Sequence, residues 1–324
     1  MSGRVLYYDN CWFTNVGESF IDIGAMELIK KILPDSSIAN ISNMSKYYVT
    51  GKPKQKTFGP FMLGFSKSRE NGYDRARFEL ANTLNMLDME YVILAGMFVS
   101  KHHLGGKVSE FIRCAKDSGK KIIFLGLGEE PHIKEETIEE YKKYLSFLEP
   151  EVVMTRDKKT YRHFQETVNC IQGIDAAFWV KDAYDPRGFS KEKYDIVCYN
   201  RSTEPEQFLR WEYPVVRPYH FQMSYTGALK ENTFISDIPY DYITLYANAH
   251  KVYTDLVHAT IISLQYGKEV YYYQTDSRAD AFLDMGCVES RQEGRQAHRC
   301  VVNEKSLAET KERIVETIKR EIGR

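Results

Sequence analysis

The chain has 324 residues, 43% hydrophobic and 27% charged, with a formal net charge of -1, so it has length for two ordinary domains and lacks the basic excess of a general nucleic-acid binder. No apolar run reaches the roughly 18 residues of a membrane span, and the opening MSGRVLYYDN lacks the charged-then-apolar pattern of a secretory leader, so a cytoplasmic location is expected. Six cysteines without any CxxC pair suggest neither a zinc site nor a disulfide framework, and no metal or cofactor is expected.

Arg4 to Tyr8 reads as a strand, and Asn15-Val16-Gly17-Glu18 as a tight turn opening a helix from about Ser19 to Ile32, with Phe20, Ile23, Leu28 and Ile32 on one face. The intervening DNCWFTNVG is longer than a packing connection needs, which makes Asn15, Gly17 and Glu18 candidate site residues; helix capping by Asn15 or Ser19 is the plainer alternative. Residues 44–69 carry six cations among five aromatic rings and no acid. That mix suits a saccharide, an anionic acceptor or peripheral contact with the inner face of a membrane, and equally an ordinary surface loop.

A helix is expected over Phe78 to Leu87, then a strand Tyr91 to Leu94 running into a glycine turn at Gly96. Lys107 to Asp117 follows as a helix, and Lys121 to Leu125 as a buried strand ending in Gly126-Leu127-Gly128. Glycines at strand ends imply a close backbone approach, so Gly96 and Gly128 are candidate ligand contacts. Helix Ile133 to Phe147, strand Val152 to Thr155 and helix Lys158 to Gln165 continue the alternation, with Arg156-Asp157 between the last two. A salt bridge from Arg156 to Asp157 or to a helix end is favoured slightly over a ligand role.

The pattern breaks at Ile171 to Val180, and residues 181–188 have the proline, glycine and charge content of a linker. The division expected is therefore a first lobe at 1–180, a second at 181–306 and a C-terminal helix at 307–324, the helix covering one lobe or bridging both. Strand Tyr194 to Tyr199 ends in Asn200-Arg201-Ser202, and Val215-Val216 precedes Arg217. Residues 250–278 form a βαβ unit in which His258 sits in the first helical turn and Arg278 follows the second strand. A buried packing histidine is an equal alternative for His258. Leu307, Ile314, Ile318 and Ile322 mark one apolar face of the last helix.

In order along the chain, Asn15-Val16-Gly17-Glu18, Val92 to Gly96, Gly126 to Pro131, Thr155-Arg156-Asp157, Asp175-Ala176-Ala177-Phe178, Arg201 and Thr254-Asp255-Leu256-Val257-His258-Ala259 resemble the motifs of the polysaccharide pyruvyl transferase family. The resemblance implies an α/β fold of two facing Rossmann-like lobes with mainly parallel sheets, similar to the glycosyltransferase B type, with the acceptor on the first lobe and the donor on the second. It also implies transfer of pyruvate from phosphoenolpyruvate to two sugar hydroxyls as a ketal, in surface-polysaccharide or cell-wall glycan synthesis. Two positions depart from the pattern: Leu256 stands where the family has arginine, and Arg278 is the nearest cation to its later lysine.

Ketal formation from an enol phosphate needs a proton donor to the methylene carbon, cations for carboxylate and phosphate, and a base for the hydroxyls. His258 and Glu18 are the candidate acid/base groups, and Arg201, Arg278 and Arg217 the candidate anion ligands. Two other readings stay open. One is a glycosyltransferase using a nucleotide-activated sugar, the other a non-catalytic anion- or saccharide-binding relative, for which Leu256 argues.

Overall fold

The computed structural model describes residues 3–9, 15–42, 88–104, 107–205, 211–221, 230–283, 285–293 and 296–323. The cationic, aromatic stretch 44–69 and the helix expected over 78–87 lie outside them.

Strands β1 (Arg4–Asp9), β2 (Ser37–Ser42), β3 (Tyr91–Val99), β4 (Lys121–Glu129), β5 (Val152–Thr155) and β6 (Cys170–Gln172) form a parallel sheet in the order β2-β1-β3-β4-β5-β6. Their apolar, β-branched runs are buried on both faces, as a parallel sheet under helices requires. The two glycine turns expected after β3 and β4 are instead bulges inside longer strands. Gly96 (φ 98) and Gly126 (φ 74) sit at register shifts in the β3–β4 and β4–β5 pairings, where a left-handed residue lets the strand continue.

The second sheet runs β12-β13-β11-β10-β7-β8-β9, from β7 (Asp195–Cys198), β8 (Val215–Pro218), β9 (Thr233–Phe234), β10 (Lys251–Thr254), β11 (Glu269–Tyr273), β12 (Val288–Gln292) and β13 (Ala297–Val302). It is parallel from β11 to β9 and antiparallel where the β12–β13 hairpin joins. Sequence periodicity gave no sign of the hairpin: four of the five β12 residues are exposed, so no alternation marks it.

Helix α1 (Val16–Ile32) starts earlier than its apolar spacing suggests because Asn15 caps it, its side-chain oxygen accepting from Gly17 N at 3.0 Å. It is buried almost all round because it lies between the two sheets. The later helices are α2 (Lys101–Leu104), α3 (Lys107–Asp117), α4 (Glu135–Leu148), α5 (Lys158–Phe164), α6 (Val180–Ala183), α7 (Pro239–Asn248), α8 (Val257–Gln265), α9 (Asp280–Leu283) and α10 (Glu304–Ile322). None of these is long and apolar enough to cross a membrane.

The chain passes from one sheet to the other through a 3-10 turn, Ala176–Trp179, that runs directly into α6. This crossing is packed: Phe178, Trp179 and Val180 are fully buried, and the Gln265 side chain donates to Ala177 O at 2.8 Å and accepts from Lys181 N at 2.6 Å. One hydrophobic cluster runs from Tyr7 and Phe20 through Trp179 to Tyr242, Ile262 and Ile318, so the two sheets share a core. Helix α10 buries Leu307, Ile314, Val315, Ile318 and Ile322 and packs against α1 and β5.

Candidate functional site

Each parallel sheet has one place where strand order reverses: between β1 and β3 in the first, and between β7 and β10 in the second. At such a point the two following connections diverge to opposite faces and leave a crevice beyond the strand ends, which is where open α/β sheets bind ligands. In the first sheet the crevice is edged by the start of α1 and by α2; in the second, by the loop after β7 and the start of α8. The two crevices meet in one cleft of about 280 Å³, lined by Asn15, Gly17 and Glu18 on one side, by Arg201, His258 and Arg278 on the other, and by Arg156, His103, His220, Phe221 and Leu256.

From the first lobe, Asn15 caps α1 and also donates to Glu18 Oε1 at 3.4 Å. Burial pushes the Glu18 carboxyl up, against the pull of the His258 and Arg156 charges. Gly17 is required by contact: a Cβ there would lie 2.6 Å from His258 Nδ1, so only a glycine lets the imidazole pack against the first turn of α1.

The second lobe supplies Arg201 and Arg278. Asp255, 1% exposed, gathers the loop after β7, accepting from the backbone N–H of Asn200 (3.2 Å), Arg201 (3.0 Å) and Ser202 (2.7 Å). The Arg201 side chain extends over the Phe221 ring at 5.4 Å. Among the described residues no carboxylate pairs with it. Arg201 is exposed as a residue, yet its guanidinium loses hydration inside the cleft, and this, then the charge of Arg278, lowers its pKa. Arg278 is already engaged by Asp276, its Nε 2.9 Å from each carboxylate oxygen. Two guanidinium groups that disfavour each other, one without a carboxylate partner, make a site poised for an anion.

Arg156 is paired with Asp175, not Asp157: Nη1 lies 3.2 Å from Asp175 Oδ2, both residues being nearly inaccessible, while Asp157 caps α5 through Thr160 N at 2.7 Å. The same Asp175 Oδ2 is 3.7 Å from His258 Nε2. Burial alone would raise the Asp175 carboxyl, but His258, Arg156 and the Ala177 N–H outweigh it and bring it down to about 2. His220 is fully buried, its Nε2 2.7 Å from Tyr246 Oη, and burial followed by the His258 charge pushes it down to about 3. Its carbonyl accepts from Val16 N at 2.9 Å and so pins α1 to the second lobe.

Three expected ligand residues fall elsewhere. Arg217 stands outside the cleft because Glu204 holds its Nε at 3.1 Å. Gly96 is buried within β3, and Gly128 serves Arg156, whose Nε would be 2.2 Å from a Cβ at that position. Conversely, His103, held by Ser100 Oγ at 2.8 Å, His220 and Asp175 were not foreseen as site residues. Only Asp175 carried a signal, a lone acid amid the apolar run Ile174 to Val180, since a charge so placed must be paired.

The fold is similar to that of UDP-GlcNAc 2-epimerase from Methanocaldococcus jannaschii (TM-score 0.55, 10% identity, 99% of this chain and 100% of that one). It is similar also to the S. aureus MnaA-UDP co-structure (TM-score 0.54, 10% identity, 99% and 90%). A further structure of the M. jannaschii epimerase, in complex with UDP-GlcNAc and UDP, matches at TM-score 0.51 and 9% identity over 100% and 93% of the two chains. These likenesses fix the architecture as two Rossmann-like lobes of the glycosyltransferase B type. A search of curated proteins finds no match. Residues 15–277, from the cap of α1 to the turn that carries Arg278, match the family model for polysaccharide pyruvyl transferase, and the chain belongs to that family.

Proposed function

We propose that the protein is a pyruvyl transferase that binds phosphoenolpyruvate in the cleft and transfers its pyruvate to two hydroxyls of a saccharide acceptor. The observation that carries the reading is the pairing, in one cleft, of Arg201, which has no carboxylate partner among the described residues, with Arg278 and an imidazole backed by a buried carboxylate. The guanidinium groups hold the donor's carboxylate and phosphate. His258 delivers a proton to the methylene carbon as one sugar hydroxyl adds to the adjacent carbon, and Glu18 takes that hydroxyl's proton. The second hydroxyl then displaces phosphate, closing the ketal; the carbon–oxygen bond to phosphate breaks as the second sugar–carbon bond forms, and His258, left neutral by the first step, takes that hydroxyl's proton. A cleft of about 280 Å³ accommodates a three-carbon donor with room for part of a sugar.

A second reading, a nucleotide-sugar enzyme, draws on Leu256, 5% exposed at the cap of α8 and apolar where the family resemblance implies a cation, and on the UDP-GlcNAc and UDP complex of the similarly folded M. jannaschii epimerase. Thermal unfolding separates the two. Phosphoenolpyruvate at about 100 times its Kd stabilises by roughly 2.7 kcal/mol and raises the midpoint by several degrees, whereas UDP-GlcNAc should leave it in place. The opposite pattern would replace the pyruvyl reading with the nucleotide-sugar one.

A further inference from the structure

The donor chemistry assigns His258 a proton, and the surroundings of its ring indicate what sets it in place. We propose that Asp175 is the positioning residue of His258, a carboxylate of the first lobe that fixes the ring orientation and tautomer of an acid/base group carried by the second. This rests on the proposed role of His258 for its catalytic consequence, though not for the pairing itself.

Asp175 is itself immobilised. It is 1% exposed, its Oδ1 accepts from Ala177 N at 2.9 Å, and its Oδ2 receives Arg156 Nη1 at 3.2 Å. The backbone that carries it enters a turn whose Phe178 and Trp179 are fully buried. His258 Nε2 is buried without a hydrogen-bond partner, 3.7 Å from that Oδ2, an ion-pair separation longer than a hydrogen bond. The other side of the ring, with Nδ1, lies against Gly17 beside the Asn15 cap, which lines the cleft. An imidazole held in this way between a carboxylate and the first turn of α1 keeps its neutral-state proton on Nε2, facing Asp175, and leaves the Nδ1 lone pair toward Gly17 and Asn15, two residues of the cleft lining. The imidazolium formed by taking up a proton at Nδ1 then rests against a fixed negative charge. Because Asp175 and His258 come from different lobes, the pair exists only when the lobes are docked.

The direct test is the ¹⁵N spectrum of the His258 imidazole in the wild-type protein at a pH where the ring is neutral. An Nε2–H tautomer is expected, and a dominant Nδ1–H tautomer would overturn the proposal. In Asp175→Asn the tautomer preference should weaken. In phosphate release from phosphoenolpyruvate with methyl glycoside acceptors, the same substitution should lower kcat about 100-fold with the donor KM within about threefold. Unchanged kcat in a folded variant would also overturn it, since a merely structural carboxylate would alter stability and spare the chemistry. If Asp175→Asn does not fold, the wild-type tautomer decides alone. That spectrum needs no substrate, so failure of pyruvyl transfer in every protein would reject the proposed function and leave the pairing separately judged.

Discussion

Arg156 and Arg201 each follow the C-terminal end of a parallel strand, β5 in the first lobe and β7 in the second, and both line the cleft, yet their surroundings differ. Arg156 is 5% exposed and tied to Asp175, whereas Arg201 rests on an aromatic ring with no carboxylate partner among the described residues. A guanidinium already desolvated and neutralised is framework; one partly desolvated and unneutralised is available for a ligand. The first lobe therefore brings a rigid buried charge network to the cleft, and the second brings the open cation.

The largest expected effect tests the framework half. Arg156→Ala strands the Asp175 carboxylate in the interior and should lower the unfolding free energy by about 3 kcal/mol in urea titration, against about 0.5 kcal/mol or less for Arg201→Ala. If the two losses were reversed, the distinction would be gone. Acid sharpens the same contrast. The unfolded chain protonates His220 near its ordinary 6.5, while the folded protein refuses that proton until about 3, so stability present above pH 6.5 falls as pH drops through this window, by about 2 kcal/mol at pH 5. The contribution of Asp175, depressed to about 2, is retained at that pH and lost only below its ordinary 3.8. Burial raises the Asp9 carboxyl to about 6 and works against this loss over the same range, so the check is the difference between the wild type and His220→Gln: urea midpoints that run parallel from pH 7 to 5 would contradict a buried, neutral His220.

Smaller effects probe the open side. Leu256→Arg puts a cation at the cap of α8 and should tighten phosphoenolpyruvate binding about tenfold, roughly 1.4 kcal/mol; no change would mean that position 256 does not reach the donor. Arg217→Ala should change donor affinity less than about twofold, because Glu204 holds that side chain outside the cleft. A tenfold loss would place Arg217 back among the ligands.

What could be read from sequence follows the same division. The βα alternation, the α10 face and the β10–α8–β11 unit were legible because each is written in local spacing, and Arg201, His258 and Arg278 came with them as residues just past strand ends. The Arg156–Asp175–His258 chain was not, since its members are 19 and 83 positions apart and meet only when the lobes dock. Gly96 and Gly126 were misread because a glycine that ends a strand and one that bulges it share a sequence signature. The β12–β13 hairpin lacks apolar alternation, and His103, on the single turn of α2, and His220, in the loop after β8, hold positions that apolar spacing does not mark.

The claim that Arg201 is the open anchor of an anionic donor is met most directly by titration calorimetry of phosphoenolpyruvate into the wild-type protein and into Arg201→Ala. Binding to the wild type, weakened about 10- to 100-fold in the variant with its thermal unfolding unchanged, is the result predicted. Equal affinity in the two proteins, or no heat with either while UDP-GlcNAc binds the wild type, would contradict it.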